Sequence, residues 1–284
     1  MSIKRNISKL MCVLPDSLYL RIKYYTYFHK RLNLVAPTTF NEKLQWLKLH
    51  EKNSLYTDLV DKYAVKQYVE KQLGGVKHII PTLGVWNSVR EIDFSKLPDQ
   101  FVLKCTHDSH STVICEDKST FDCQKAIQTL DHAMRQDYFK FSREYPYRHV
   151  KKQIIAEKFM KDGDSEDLVD YKFFCFDGVP RFVGVCTNRS KNLTWDLFDM
   201  DFHHIDVTYV APNSKQPIEK PGTFEQMVEI TSVLSAGMPH VRIDLYEINH
   251  QVYFGEYTFF SSGGFAPFHP EAYDELFGKY ITRI

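Results

Sequence analysis

Two acids near the end of the chain, Asp244 and Glu256, lie in the short runs 241–246 and 252–258, which are otherwise apolar, β-branched and aromatic. The polar residues 247–251 between the runs predict a hairpin turn. On paired strands the two carboxylates come close together. Arg242 and Thr258, each two residues from an acid, point to the same face because strand side chains alternate with period two. Neighbouring carboxylates repel unless a positive charge separates them, and a hard cation such as Mg²⁺ suits two oxygen ligands. A hairpin with its polar face in water is the alternative reading.

A second candidate is Lys104, at the end of the apolar run 101–104. It is followed by a loop rich in hydroxyls and imidazoles: Thr106, His107, Asp108, Ser109, His110, Ser111 and Thr112. A lysine entering such a loop is suited to phosphate oxygens, although no Walker A and no G-x-G-x-x-G pattern is present. Lys62 and Lys66 are spaced one helical turn apart. The run 153–160 carries Glu157 at the end of an apolar strand, then Phe159 and Met160, a pair able to lie across a planar base. Asp199-Met200-Asp201 is a rival signal, since a D-x-D at a strand end can hold a divalent ion on a nucleotide-sugar diphosphate. His203 and His204 read as a loop pair whose side chains diverge. Nothing marks a Ser, Cys or Thr nucleophile.

The elements that must position these residues follow from periodicity. Residues 1–75 read as helical, with a start at Pro37-Thr38-Thr39, an apolar face through Leu44, Trp46, Leu47 and Leu49, and a further helix over 57–73 stopped by Gly74-Gly75. Strand-like runs cluster after residue 100, at 101–105, 112–115, 153–159, 171–176, 180–187 and 193–198, with helical stretches at 122–141 and 224–236. This is an α+β pattern. With 284 residues and 43% hydrophobic content, the chain has enough material for one large core or two smaller ones. Lys+Arg and Asp+Glu are both 36, which argues against a nucleic-acid binder. The basic residues Lys4, Arg5, Lys9, Arg21, Lys23, Lys30 and Arg31, against the single acid Asp16, form a segment suited to a membrane surface or an acidic glycan; a solvated helical face is the plainer reading. Six cysteines without C-x-x-C spacing fit a reduced, cytoplasmic setting.

In their order along the chain, residues 40–48, 59–65, 101–109, 155–158, 170–176 and 255–259 resemble the TupA-like ATP-grasp proteins of bacterial surface-polysaccharide gene clusters. The resemblance implies an ATP-grasp fold: a short helical N-terminal region (1–75), a small lid subdomain (76–157) and a C-terminal subdomain (158–284) that between them sandwich ATP. It implies that Lys66 and Lys104 hold the α- and β-phosphates under a mobile loop that includes His107 and Ser109. Glu157 would take the adenine amino group, Phe159 and Met160 would line the base, and Asp170 would hold the ribose. Asp244 and Glu256, with Thr258 where asparagine is usual, would hold Mg²⁺, while Arg242 and Lys104 assist catalysis. The implied reaction forms an amide between a sugar acid or amino sugar of a capsule or O-antigen and an amino acid or small amine, through an acylphosphate. A glycosyltransferase, a sugar kinase and a glycan-binding protein without catalysis are the alternatives. The chain departs from the family at His110-Ser111, where glycine is usual, and at residues 261–264.

Overall fold

Thr39 opens helix α2 (Phe40–His50) with a reciprocal capping box. Its hydroxyl accepts from the Glu42 backbone N–H, while the Glu42 carboxylate receives the Thr39 N–H. Before it runs α1 (Asp16–Phe28). The single helix expected over 57–73 is two, α3 (Leu55–Val60) and α4 (Ala64–Leu73). Asp61 divides them, because its carboxylate accepts from the N–H groups of Tyr63 and Ala64 and so caps a fresh start. The computed structural model describes residues 13–163, 165 and 167–284. Lys4, Arg5, Lys9 and Cys12 lie outside the described residues. The remaining basic side chains of the first segment are largely engaged: Arg21 donates to Leu32 O, Lys23 to Phe141 O, and Lys30 pairs with Glu271.

Two antiparallel sheets follow. The first contains β1 (Thr82–Trp86), β2 (Phe101–Cys105), β3 (Val113–Cys115) and β4 (Ile154–Lys158), in the order β1-β4-β2-β3. Strand β1 precedes residue 100 and carries Gly and Trp instead of a clear alternation, so its pattern did not mark it as a strand. The expected 122–141 helix is likewise split into α5 (Cys123–Arg135) and α6 (Tyr138–Ser142), each capped by an aspartate, Asp122 and Asp137. The larger sheet holds β5 (Asp170–Phe176), β6 (Val179–Thr187), β7 (Thr194–Phe198), β8 (His204–Ile205), β10 (His240–Ile248) and β11 (Gln251–Thr258), ordered β11-β10-β5-β6-β7-β8. Helix α7 (Phe224–Ser235) covers one face through Phe224, Met227, Ile230 and Leu234. A two-stranded ribbon, β9 (Thr208–Tyr209) with β12 (Phe268–His269), and a final helix α8 (Ala272–Tyr280) complete the chain.

The entry to the first sheet is tied to the edge of the second. Phe254 N–H donates to His78 O at 2.8 Å, and the Gln251 side chain reaches Lys77 O. The core of the larger sheet is aromatic. The ring of Phe40, fully buried, lies 5.0–6.3 Å from those of Phe174, Phe176, His240, Phe268 and Phe277. On a stripe adjoining that of Phe40, the same helix presents a polar row. Asn41 donates to Ala266 O, Gln45 to Gly263 O and Gly264 O, and Lys48 to Gly263 O and Ser142 O. Spacings of four and three residues put these side chains on one helical stripe. That stripe grips the backbone of the turn following β11. Replacing Phe40 with alanine removes a ring shared by the helix and the sheet, and should cost about 3–5 kcal/mol, measured by urea unfolding.

Candidate functional site

The β10–β11 hairpin turns on two residues, Asn249 and His250, both at positive φ, instead of the five expected; both strands therefore extend further, with Glu247 inside β10. Asp244 pairs with Glu256 and Arg242 with Thr258 in register. A bulge follows Asp244, and Gly255 fills it. A Cβ at Gly255 would stand 2.9 Å from Asp244 O, so only glycine lets the strands approach here.

Asp244 is sealed, whereas Glu256 is open. Arg242 Nε lies 2.7 Å from Asp244 Oδ1 and its Nη2 2.9 Å from Oδ2. Lys172, directly opposite Asp244 on β5, pairs with the same Oδ2. Burial would push the Asp244 carboxyl up, but Arg242 and Lys172 more than offset this and hold it down to about 2. Arg242 continues to Thr258 Oγ1 at 3.1 Å and Ser261 Oγ at 2.9 Å, and its Nη2 stands 3.7 Å from Glu256 Oε1. The Glu256 side chain keeps 44% of its surface exposed. Two facing carboxylates and a hydroxyl are oxygen donors of the kind a hard divalent cation takes, and Asp244 Oδ1, with one described bond, retains a lone pair.

Asp170 belongs to this network and not to the lysine cluster around Glu157. It is 1% exposed, pairs with Arg189, and lies 3.7 Å from Lys172 Nζ. The carboxylate expected to hold the ribose thus faces the buried Lys172 and the more exposed Arg189. Lys172 was legible only as a cation inside the otherwise apolar run 171–176, and Arg189 as a loop residue; neither was singled out in the sequence.

A second cluster joins three sequence-marked residues. Lys66 Nζ is 2.6 Å from Glu157 Oε1 and Lys104 Nζ 2.5 Å from Oε2, while Lys66 also reaches Ile80 O and Thr82 Oγ1. Burial opposes ionisation of Glu157, yet the two lysines prevail and its carboxyl lies below the usual range. Burial lowers Lys66, with Glu157 acting in the opposite sense. Lys62 does not share a face with Lys66; it precedes α4 and donates to Asp108 O. Phe159 and Met160 follow directly on β4, both half-buried.

The loop after Lys104 is more pinned than its composition suggested. His107 turns inward, 2% exposed, with Nε2 3.2 Å from Ala133 O near the end of α5. Its imidazole does not line the cavity beside this loop, and burial lowers its pKa. Ser111, one of the two positions where the chain departs from glycine, accepts from Cys105 N–H at 2.7 Å and donates to Asp108 Oδ1 at 2.6 Å. Ser109 and His110 remain exposed.

A cavity of about 1350 Å³ opens between this loop and the hairpin, lined by Asp108, Ser109, Lys172, Arg242, Glu256 and Thr258 among others. Lys66, Lys104 and Glu157 do not line it. The Asp199-x-Asp201 signal lies elsewhere. Asp199 Oδ1 accepts from the N–H groups of Asp201 and His203, which makes it the anchor of the β7–β8 turn. His203 Nδ1 stands 3.2 Å from Asp199, so these three side chains cluster on the surface. His204 points the other way, to Asp196.

The family model described as TupA-like ATPgrasp matches residues 42–282. The chain belongs to this family. Comparison with curated proteins finds no match. Among solved structures the ATP-grasp chain is similar to an L-amino acid ligase from Bacillus licheniformis, at 12% identity and TM-score 0.50, over 94% of this chain and 62% of that one. It is also similar to D-alanine–D-alanine ligase from Bacillus anthracis complexed with ATP, at 13% identity and TM-score 0.41, over 73% and 56%. The chain thus spans less than two thirds of either ligase. The fold is ATP-grasp.

The Lys66–Glu157–Lys104 cluster makes a stability prediction for this ATP-grasp chain. Glu157→Gln leaves two mostly buried ammonium groups without their counter-charge and should cost about 1.5–3 kcal/mol at pH 7. A depressed carboxyl contributes stability above its unfolded pKa of about 4.3 and loses it as pH falls through the lower folded value. Urea unfolding should therefore show the gap between Glu157→Gln and the parent closing under acid conditions.

Proposed function

We propose that the protein is an ATP-dependent carboxylate–amine ligase of bacterial surface-polysaccharide assembly, acting on a capsule or O-antigen component. In this reading a sugar or glycan carboxylate takes the γ-phosphoryl group of ATP, and an amine then displaces phosphate to leave an amide. The observation that carries it is the Arg242–Asp244–Glu256 centre with Lys172, opening in an ATP-grasp chain onto the same cavity as the loop after Lys104. The residues divide as an N-terminal region, 1–75, whose described part is helical, a lid, 76–157, and a C-terminal part, 158–284.

Lys66 and Lys104 bind the α- and β-phosphates, exchanging Glu157 for phosphate oxygens as partner. Glu157, thus released on one side, accepts from the adenine amino group beside Phe159 and Met160. Asp244, Glu256 and Thr258 would hold Mg²⁺, and the bound ion would supply neutralisation of charge on the phosphates. Arg242 and Lys172 stand next to these acids and place fixed positive charge where the transferring phosphoryl group gains negative charge. Ser109 and His110 cover the opening. No side-chain nucleophile is required, in line with finding none in the sequence. A cytoplasmic site supplies ATP. Among the described residues no helix is long and apolar enough to cross a membrane, and contact with a membrane or lipid-linked glycan is assigned to the basic first segment.

Mg·ATP at a hundred times its Kd should raise stability by about 2.7 kcal/mol in a thermal-shift titration, and a uridine nucleotide-sugar with Mn²⁺ should not. Glu256→Gln should abolish ADP formation and keep the parent melting curve, because Glu256 is open and lightly bonded, while Asp199→Asn should retain turnover. Normal turnover in Glu256→Gln would sink the metal assignment. Mass spectrometry of the native polysaccharide should show an amide lost with the gene; a lost phosphate would instead make the protein a kinase.

A further inference from the structure

The cavity wall contributed by residues 136–152 has an outer face that the ligase reading leaves unused. Gln136, Tyr138, Phe141, Ser142, Glu144 and Tyr147 line the cavity. The same stretch carries five cations, Lys140, Arg143, Arg148, Lys151 and Lys152, against two acids, Asp137 and Glu144. Arg143 and Glu144 are buried, and Arg143 pairs with Asp16. Lys140, Arg148, Lys151 and Lys152 are exposed and do not line the cavity. In a chain with as many acids as bases, four exposed cations beside one accessible acid are a local excess.

The fold gathers these cations. Lys152 Nζ donates to Met134 O and Gln136 O, at the end of α5. Lys140 Nζ lies 3.6 Å from Asp137 Oδ2, one residue further on. The Arg148 guanidinium stands over the ring of Phe139, 5.2 Å from its centroid. Three cations from different parts of the segment therefore meet around residues 136–139, the corner between α5 and α6. Lys52, exposed beyond the end of α2, extends the patch, with its ammonium 4.7 Å from the centroid of the Tyr145 ring. Lys151 joins it to the loop after Lys104, since its carbonyl accepts from Thr106 Oγ1 at 2.9 Å. Among the described residues, only Lys140 of this group has an acid within ion-pair distance.

Exposed cations hold a single anion weakly, because each such pair contributes about 0–1 kcal/mol in water. A ligand whose anions are linked engages several at once, and its affinity rises accordingly. The patch thus fits a polyanion. Its aromatic rings are already engaged: Phe139 by Arg148, Tyr145 by Lys52, and Tyr138 with Tyr147 at 4.6 Å. That leaves little of the stacking platform a single-stranded nucleic acid uses. Phe141, the exposed large apolar side chain of the segment, lines the cavity, so a bilayer finds no anchor beside these cations. We propose that this outer face is an exosite for an acidic glycan chain, in which Lys52, Lys140, Arg148, Lys151 and Lys152 hold carboxylates along the polymer while its reacting sugar enters the cavity over the same wall. The choice of a glycan rests on the ligase reading. The exosite adds that the carboxylate substrate is a polymer and not a free sugar acid or a nucleotide-sugar. It is separate from the basic first segment, to which membrane contact is assigned.

Isothermal titration of the full chain, with and without Mg·AMPPNP, tests this with oligogalacturonate, oligomannuronate and hyaluronan fragments as polymer probes, and with galacturonate, mannuronate and glucuronate as monomers. At least one polymer should bind the parent protein at least tenfold more tightly than its monomer, and that advantage should shrink as salt is raised. Lys140→Gln combined with Lys151→Gln should weaken that polymer at least fivefold and leave the melting temperature and Mg·AMPPNP affinity unchanged. Lys71→Gln combined with Lys279→Gln removes the same charge from exposed positions elsewhere and should leave polymer affinity unchanged. Should the first double variant fail to fold by circular dichroism, its two single variants decide. No polymer preferred over its monomer, polymer affinity untouched by the Lys140 and Lys151 substitutions, or equal losses in the two double variants overturns the exosite. Single-stranded DNA or phosphatidylserine vesicles bound more tightly than every glycan, and released by the same two substitutions, also overturn it and give the surface to a nucleic acid or a membrane. Failure of Mg·AMPPNP to bind the parent overturns the ligase reading instead, and the titrations without nucleotide still decide the exosite.

Discussion

A carboxylate with almost no exposed surface stays ionised only if cations come with it, and Asp244 is such a group. Arg242, two residues upstream on the same strand, and Lys172, opposite it on β5, both bond its oxygens. Much of the site is organised by that requirement. Lys172 must stand in register with Asp244, which fixes the pairing of β5 with β10. Arg242 must span to Thr258 and Ser261, which fixes the edge strand and the turn after it. Removing the Asp244 carboxylate would leave Arg242 and Lys172 without their shared counter-charge, and breaking a buried pair in this way typically costs about 3–5 kcal/mol.

The turn at 261–264 is held from the opposite side by α2. Asn41, Gln45 and Lys48 donate to its carbonyl oxygens and to Ala266 O, so the helix that precedes both sheets positions the residue that orients Arg242. Polar side chains buried on a helix must find partners, and here those partners are backbone acceptors left free by an irregular turn. The N-terminal helical region is thus built into the site and is not an appendage to it.

The loop after Lys104 follows the same logic. Glycine at 110–111 would let the backbone approach phosphate, whereas Ser111 closes the loop onto Cys105 and Asp108. His107, whose type invited a ligand role, satisfies a helix-end carbonyl instead. Side-chain type advertised chemistry at both positions; burial assigned them to structure.

By itself the sequence determined the acid pair on a hairpin, the strand-borne Lys104, the helix start at Pro37-Thr38-Thr39, the later strands from 101 onward and the family resemblance, because these rest on local period, turn chemistry and residue order. Strand β1 escaped because its pairing with β4 comes from tertiary contacts and not from alternation. The breaks at Asp61 and Gln136 escaped because a capping aspartate within an amphipathic run looks like a helical residue until its carboxylate is seen to bond the backbone. Only the tertiary structure decided that Asp170 joins Asp244 through Lys172, that Glu157 is shared by two lysines, and that Lys48 and Glu144 face one cavity. Those are meetings of residues 53 to 96 positions apart or between separate elements, with no local signal. Charge pairing across a fold is set by which elements pack together, and a single sequence does not carry that information.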